Sequence, residues 1–405
     1  MAGSTIDHLI AMTVFLGAML IFISLFNQTI QTAVLYQRNR ALATKCSDLL
    51  DNILLNPGYP LEYEGNRPVE WGKLGYSPTI FGLQDPEFSQ YRLSPFSLMR
   101  LESSRGKQFL YEITSHYYSN VTVGFGSFLF VSSVETLNYS SVAKLLGINN
   151  TYGFQLTLTP VVDVSISEDN AGSPLVMSLK VTGNGIPFAN ATVSSMLIMV
   201  RTTGDFPSYH TLTNSSHTDN NGICTLSFQN VGVNESYAFI AYARFGGLVG
   251  VGYYQRIRAG SHAIPLVESI SERRIVLAHS YDIYGFGASN VYFNATFMML
   301  SQDFSLRLLT IEDSVGELSL GECANLTIPT FEAGILVVAY QDERSNAGVA
   351  LMPWGVSSMA FPVVFGEDPL SKEWVATDIR QVIVGNVAYQ AKLALWSLEG
   401  YGVMG

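Results

Sequence analysis

The sequence predicts a mainly β protein with a long N-terminal α-helix: a membrane-crossing helix, then a β-rich head and tandem β-sandwiches. Three observations carry that prediction. The thirty residues between Asp7 and Arg38 include no Asp, Glu, Lys or Arg. From about residue 150 onward, short apolar runs alternate with Gly, Asn and Asp turns. The composition is 48% hydrophobic but only 14% charged, with 23 Phe, 21 Tyr and 35 Gly, which suits aromatic-packed sheets surfaced with Ser, Thr and Asn. A chain of 405 residues is long for one domain and suggests two to four. Its net charge of −11 argues against a nucleic-acid partner, whose phosphates need a basic face.

Residues 1–56 form the first segment. The 18-residue apolar stretch Leu9–Phe26 rises about 27 Å as a helix, enough to cross a hydrocarbon core of about 30 Å when polar flanks snorkel. A removable secretory signal has a basic front and a small-residue cleavage site. Here no Lys or Arg precedes the stretch and it continues as NQTIQTAVLYQ, so it is expected to stay. No Pro or Gly occurs from Ala18 to Asn56. Leu42, Cys46, Leu49, Leu50, Ile53 and Leu54 recur at three- and four-residue spacing, an amphipathic stripe. NPGYP then ends the helix. One helix from about Ser4 to Leu55 would be roughly 75–80 Å long, and a plain anchor does not need its striped half.

A hydrophobic N-terminal helix running into an amphipathic one, with an acidic residue just ahead of the apolar core, resembles the type IV pilin-like proteins. The resemblance implies that the apolar half packs with copies of itself in a filament core while the striped half lies on a globular head. Asp7 matches the acidic residue that, in the family, pairs with the N-terminal amine of a neighbouring subunit. Without the resemblance, Asp7 reads as a polar flank of a membrane helix. Lateral packing is expected to involve the small residues Gly17 and Ala18. Cleavage after Ala2 would set Asp7 fifth in the mature chain, the family spacing. The sequence departs from the family in having only MAG where precursors carry a basic leader.

Orientation rests on opposed signals. Arg38, Arg40 and Lys45 follow the helix, which taken alone would hold the C-terminal part in the cytoplasm. Nine of 22 asparagines begin an N-x-[ST] triplet, where chance gives about four. Eight lie beyond the membrane stretch, at Asn120, Asn138, Asn149, Asn190, Asn214, Asn234, Asn294 and Asn325; the ninth is Asn27. Turn-rich β proteins also favour Asn, Ser and Thr. The sequons together with the β-rich body favour a single-pass cell-membrane protein whose body is extracellular and glycosylated at those eight positions, within a surface filament if copies assemble.

Residues 57–165 read as an irregular Pro-, Gly- and aromatic-rich wrap on a β-rich head. It holds short helices near Pro95–Leu101 and Ser140–Leu146 and a strand from Tyr152, where Phe154, Leu156 and Leu158 alternate with Gln155, Thr157 and Thr159. PGYP…W…FGL and LLGINNTYGFQLTLTP resemble segments of archaeal pilin-like membrane proteins, which implies an archaeal source. From about Ser173, NGIPFANATV and TDNNGICTLSF resemble a pattern of prealbumin-like and bacterial immunoglobulin-like surface domains. There Asp-x-x-Gly makes a tight hairpin because Gly accepts positive φ. An Ig-like β-sandwich is therefore expected over 166–260. ESYAFIAYARFGGLVGVGYYQ recurs in form as EAGILVVAYQDERSNAGVALMPW, suggesting a second β-sandwich over 261–365. Residues 366–405 read as a hairpin turning at Gly385–Asn386 and packing back on the head.

Motifs for chemistry are sparse. Six histidines show no H-x-x-x-H or H-E-x-x-H spacing, and no Cys-x-x-Cys, P-loop or G-x-S-x-G occurs. The pair His210 and His217 reads as solvated. Glu168–Asn170 offers oxygen ligands for Ca²⁺, or is a solvated linker. Tyr117–Tyr118 and Tyr253–Tyr254 offer sugar platforms, or are sheet face and core. Cys224 and Cys323 allow one bridge in an oxidising compartment; buried free thiols are the simpler reading. No catalytic or metal residue and no cofactor is assigned. The expected partners are membrane lipid, other copies through the helix, and surface glycans or other cell-surface proteins. The function expected is non-enzymatic, in filament assembly or adhesion. A solitary anchored receptor that binds a ligand through its sandwiches is the alternative, and an anchored hydrolase would need a clustered carboxylate pair or a Ser–His pair in a cleft.

Overall fold

The computed structural model describes residues 2–88, 91–103, 108–124, 127–202, 204–257, 263–285, 289–301, 304–372 and 374–398. Helix α1 runs unbroken over Ala2–Leu55, and a β-rich body follows it. At the helix end the Asn56 side chain accepts from the Gly58 N–H (2.9 Å), and Gly58 turns the chain at positive φ. The last helical carbonyls, which no helical N–H can reach, are satisfied by the wrapping segment. Leu83 N–H donates to the Ile53 carbonyl (2.9 Å) and Gln84 N–H to that of Asn56 (3.0 Å). This approach brings Gly82 so close to the Asn56 carbonyl that a Cβ there would collide.

The wrap is fastened by Arg100, a fully buried cation. Its Nε donates to the Glu135 carbonyl (2.6 Å) and its Nη1 to the carbonyls of Trp71, Leu74 and Tyr76 (2.7, 2.7 and 3.1 Å). Trp71 Nε1 reaches on to the Gly82 carbonyl at 2.8 Å. Short helix α2 (Pro95–Met99) begins beside it. Ser94 caps α2 by accepting from Phe96 and Ser97 N–H while donating to Glu70.

Five sheets, beside the two-stranded Glu62–Glu64/Arg67–Val69, make the body among the described residues. The base sheet orders Val363–Gly366, Tyr152–Pro160, Val387–Ser397, Ala376–Val384 and Arg92–Leu93. Its central hairpin closes through a two-residue turn, with Val384 opposite Val387 and Gly385 at positive φ. A sandwich follows. Its outer sheet joins Val162–Ala171, Leu175–Gly183, Ile186–Pro187 and Ile223–Phe228; its inner sheet orders Ser208–His217, Thr192–Arg201, Tyr237–Phe245 and Leu248–Arg256. A fourth sheet is built on Asn290–Leu300, with Leu306–Leu309 and Val315–Ser319 along one edge and Gly334–Asp342 then Ala347–Trp354 on the other. The fifth is shared by distant parts of the chain. Phe109–Tyr111, His116–Gly124 and Ser127–Ser132 join Ala263–Ser269, Arg274–His279 and Cys323–Thr327 through a parallel pairing of Leu266 with Phe130. Hairpins Tyr237–Phe245/Leu248–Arg256 and Gly334–Asp342/Ala347–Trp354 carry the two similar stretches of sequence.

The sandwich departs from simple alternation. Residues 237–243 and 334–342 are buried without interruption. In the inner sheet Val193, Leu197, Phe239 and Ala241 face the outer sheet, while Met196, Ile198, Ala238 and Ile240 join the main core on the opposite side. Tyr242 Oη donates to the Ser358 carbonyl across that second face (3.1 Å). A strand covered on both faces reads as a continuous apolar run, because neither side chain direction meets water. The Asp-x-x-Gly turn also corrects the expected hairpin. It carries the chain from Ser208–His217 in the inner sheet to Ile223–Phe228 in the outer one. Asp219 accepts from Ile223 and Asn221 N–H (2.9 and 2.8 Å), bonds that hold its carboxyl below the usual range, and Gly222 has φ +73°.

GGLVGVG has two roles. Gly246 and Gly247, both at positive φ, form the hairpin turn, whereas Gly250 and Gly252 let Val162–Ala171 cross tightly over the strand. A Cβ on Gly250 would sit 2.5 Å from Val162 Cγ1 and 3.0 Å from its carbonyl. Gly250→Ala is therefore expected to cost about 1–3 kcal/mol by overpacking, read as a lower melting temperature of the full chain.

Candidate functional site

Among the described residues, the side chains of the first half of α1 are exposed throughout. Leu9, Phe15, Phe22 and Phe26 are 58–69% exposed, although transfer of such side chains from water is favourable by about 1.5–3 kcal/mol each. This is the one helix long and apolar enough to cross a membrane among the described residues. Phe22, Phe26, Ile30 and Val34 lie four apart, hence on one face, with the two phenyl rings stacked at 6.5 Å. That row continues past Phe26, beyond the 18-residue apolar stretch Leu9–Phe26. Asp7 is exposed near the helix start. At Gly17 nothing lies within 4 Å of where a Cβ would be, a notch in the apolar surface beside Ala18.

The second half of α1 is seated on the base sheet. Every residue of the stripe is buried: Leu42, Cys46, Leu49, Leu50, Ile53 and Leu54. Cys46 Sγ points at the carbonyls of Leu393 and Ala376 (3.5 and 3.6 Å). A polar clasp closes the edge of the seat. Arg380 meets Asp51 with two hydrogen bonds (3.0 and 3.1 Å), and also reaches Ser47 (3.0 Å) and Asp378 (2.8 Å). Asp51 and then Asp378 raise the guanidinium above its ordinary pKa, so it stays charged. Arg380→Gln is expected to loosen the seat by about 0.5–1 kcal/mol, the range for partly exposed pairs. The check is faster amide exchange over residues 42–55 with the sandwich unchanged.

The sequons fall in varied settings. Asn149, Asn190, Asn234 and Asn325 are exposed on the body, and Asn27 lies on the exposed helix. Asn138 caps helix α3 (Tyr139–Leu145), accepting from Ser141 N–H. Asn214 and Asn294 each spend a side-chain N–H on a carbonyl, of Ser227 (3.1 Å) and Pro207 (3.0 Å). Asn120 is on strand His116–Gly124, its side chain outside those described.

One other expectation is changed. Glu168–Asn170 is no free loop but the end of strand Val162–Ala171; Glu168 takes the Tyr237 hydroxyl and pairs with Arg256 (3.6 Å). No cluster of three or more metal-ligating side chains occurs among the described residues. His210 and His217 are both exposed on strand Ser208–His217, in keeping with the solvated reading, and their odd separation puts them on opposite faces; His262 is outside the described residues. Of the tyrosine pairs, Tyr118 is buried and Tyr117 exposed, while Tyr253 packs on Phe361 and Tyr254 on Tyr237. All three cysteines are free, and burial pushes the Cys224 thiol up to about 11. The Arg380 clasp and the Arg100 fastening escaped sequence reasoning, because each joins residues far apart in the chain with no local spacing to mark them.

No known protein family matches the sequence, and no curated protein matches it. Solved structures with some likeness include trypsin-activated alpha-2-macroglobulin from Escherichia coli, at 10% identity over 65% of this chain and 20% of that one (TM-score 0.21). Red sea bream transglutaminase is 12% identical over 59% of this chain and 37% of its own (TM-score 0.18). A 1.5-MDa bacterial ice-binding adhesin is 10% identical over 48% of this chain and 63% of its own (TM-score 0.17). The chain spans less than two thirds of each, and likenesses this slight carry no argument about function.

Proposed function

We propose that the chain is a non-enzymatic surface protein, rooted in the membrane by the first half of α1, with its β body outside and glycosylated at exposed sequons. It acts in assembly or adhesion through lateral packing of that helix, in the manner of type IV pilin-like proteins. One observation supports this reading above the rest. The uncharged stretch between Asp7 and Arg38 would rise about 45 Å as a helix, against a hydrocarbon core of about 30 Å. Ile30, Val34 and Leu35 are 46%, 44% and 45% exposed, so an isolated copy would hold apolar side chains in water above the bilayer. Neighbouring helices, nested at the Gly17–Ala18 notch, would cover them.

The test is intact-mass and N-terminal sequencing of the protein from its native envelope, beside electron microscopy of sheared surface material. Chains beginning at Gly3 or Ser4 and recovered in threads are expected. Chains beginning at Met1 or Ala2, released only by detergent and only as monomers, would overturn assembly and favour a solitary anchored receptor.

A further inference from the structure

At the end of the body remote from the apolar helix half lies an open groove that no motif announces. Phe26 and Leu55 are about 43 Å apart along the helix axis, and the wrap that walls the groove begins just after Leu55. One lobe, of about 900 Å³, lies between the wrap and the fourth sheet. A second, of about 740 Å³, runs beside the hairpin Glu62–Glu64/Arg67–Val69. The lobes are adjacent: Arg67, Lys73, Glu87, Phe331 and Glu332 line both.

Three properties constrain the occupant. The first is mixed polarity. Four cations and three carboxylates line the larger lobe, and Glu62 and Glu64 add two more acids in the smaller. Such a lining repels a polyanion or polycation along part of its length, but suits hydroxyls, which donate and accept alike. Arg67 and Glu332 are exposed, and among the described residues neither side chain is spent on an ion pair.

The second is aromatic exposure. Tyr63 is 70% exposed and Tyr76 45%, on a rim already held in place. Tyr76 donates to Glu62, and Arg92 covers Phe88 at 3.9 Å. Tyr63, opposite Pro68 in the hairpin, keeps an open ring face. An aromatic ring offers large contact area at low entropic cost.

The third is shape. Both lobes are open to solvent, which suits a chain lying across them rather than a buried cofactor. The hairpin strands are three residues long, too short an edge to bind a peptide by strand addition.

We propose that this groove binds a neutral polysaccharide chain. Tyr63 is the stacking platform, and Arg67 and Glu332 are donor and acceptor to ring hydroxyls. The inference concerns the tip of the body and stands whether or not the helices assemble.

The full chain, held in a detergent without a sugar headgroup, would be titrated calorimetrically with chitohexaose, cellohexaose and mannohexaose, and separately with polygalacturonate. Saturable binding of at least one neutral hexasaccharide is expected, changed by no more than about twofold between about 0.05 and 0.5 M salt. Tyr63→Ala should weaken it about tenfold. Tyr117→Ala, at a tyrosine exposed on a different sheet, should leave it unchanged, and matching melting curves would show both variants folded. Failure of all three hexasaccharides overturns the proposal. So does binding of polygalacturonate alone with steep salt dependence, or a Tyr63→Ala protein that binds like the parent.

Discussion

Arg100→Met is expected to lower the stability of the body by about 3–5 kcal/mol, the range for breaking a buried charged network. Methionine keeps much of the volume, so the loss is polar rather than a cavity. The carbonyls of Trp71, Leu74, Tyr76 and Glu135 all accept from this one guanidinium. Without it the Leu74 and Glu135 carbonyls stay buried and unpaired, while that of Trp71 keeps only the Leu74 N–H (3.1 Å). The nearby Glu135 carboxyl provides a second signature. Burial raises its pKa and the Arg100 charge partly offsets the rise. A group whose folded pKa is raised favours folding while it is protonated and loses that contribution as pH rises toward the folded value. Removing Arg100 raises it further. The gap in stability between parent and variant should therefore widen as pH climbs above the ordinary glutamate range, and narrow below it. Between Glu135→Gln and the double variant Glu135→Gln with Arg100→Met, the gap should no longer depend on pH. Denaturant unfolding of the full chain in mild detergent across pH, with amide exchange over residues 57–88, is the measurement. A gap that does not change with pH would refute the coupling.

Leu16→Arg together with Leu20→Arg is expected to abolish membrane residence. The two residues lie four apart on one face, 54% and 67% exposed, inside the span. On insertion scales leucine contributes about −0.5 kcal/mol and arginine about +3 near a helix centre. The pair therefore shifts insertion by roughly 7 kcal/mol, more than flanking residues recover by snorkelling. After alkaline washing of membranes the parent should stay with the pellet and float with lipid, and the variant should not. Ile379→Arg, on the exposed face of the base sheet, serves as the control and should behave as the parent. If the double variant remains embedded, the first half of α1 is not the anchor.

Legibility in the sequence tracked locality. The helix, its stop at Asn56 and its buried stripe are written in spacings of three and four residues, and all six stripe positions are buried. The two-residue turn at Gly385–Asn386 is equally local, since Gly accepts a φ that other residues resist. What stayed hidden depends on partners distant in sequence. The runs at 237–243 and 334–342 carry no period, because their second faces are covered by sheets from elsewhere in the chain. The parallel pairing of Leu266 with Phe130 spans more than a hundred residues and has no turn to mark it. The seat of the helix was half legible. Its apolar side appears in the stripe, but the Arg380 clasp that closes it is three hundred residues away.

That distance sets an order of events during synthesis. Cys46 rests against the Leu393 carbonyl, 347 positions later. At about 5–20 residues added per second, the base sheet is complete only roughly 20–70 s after the helix emerges. The apolar half can enter the bilayer at once, while the striped half has nothing to sit on until Ala376–Val384 and Val387–Ser397 are made. With the apolar half anchored as proposed, Leu49, Leu50 and Ile53 form for that interval an unshielded apolar strip beside the membrane, which the lipid surface, a chaperone or a neighbouring copy must cover. A chain cut short before Ala376 never acquires its seat, so quality control of this protein comes down to whether the hairpin Ala376–Val384/Val387–Ser397 is made.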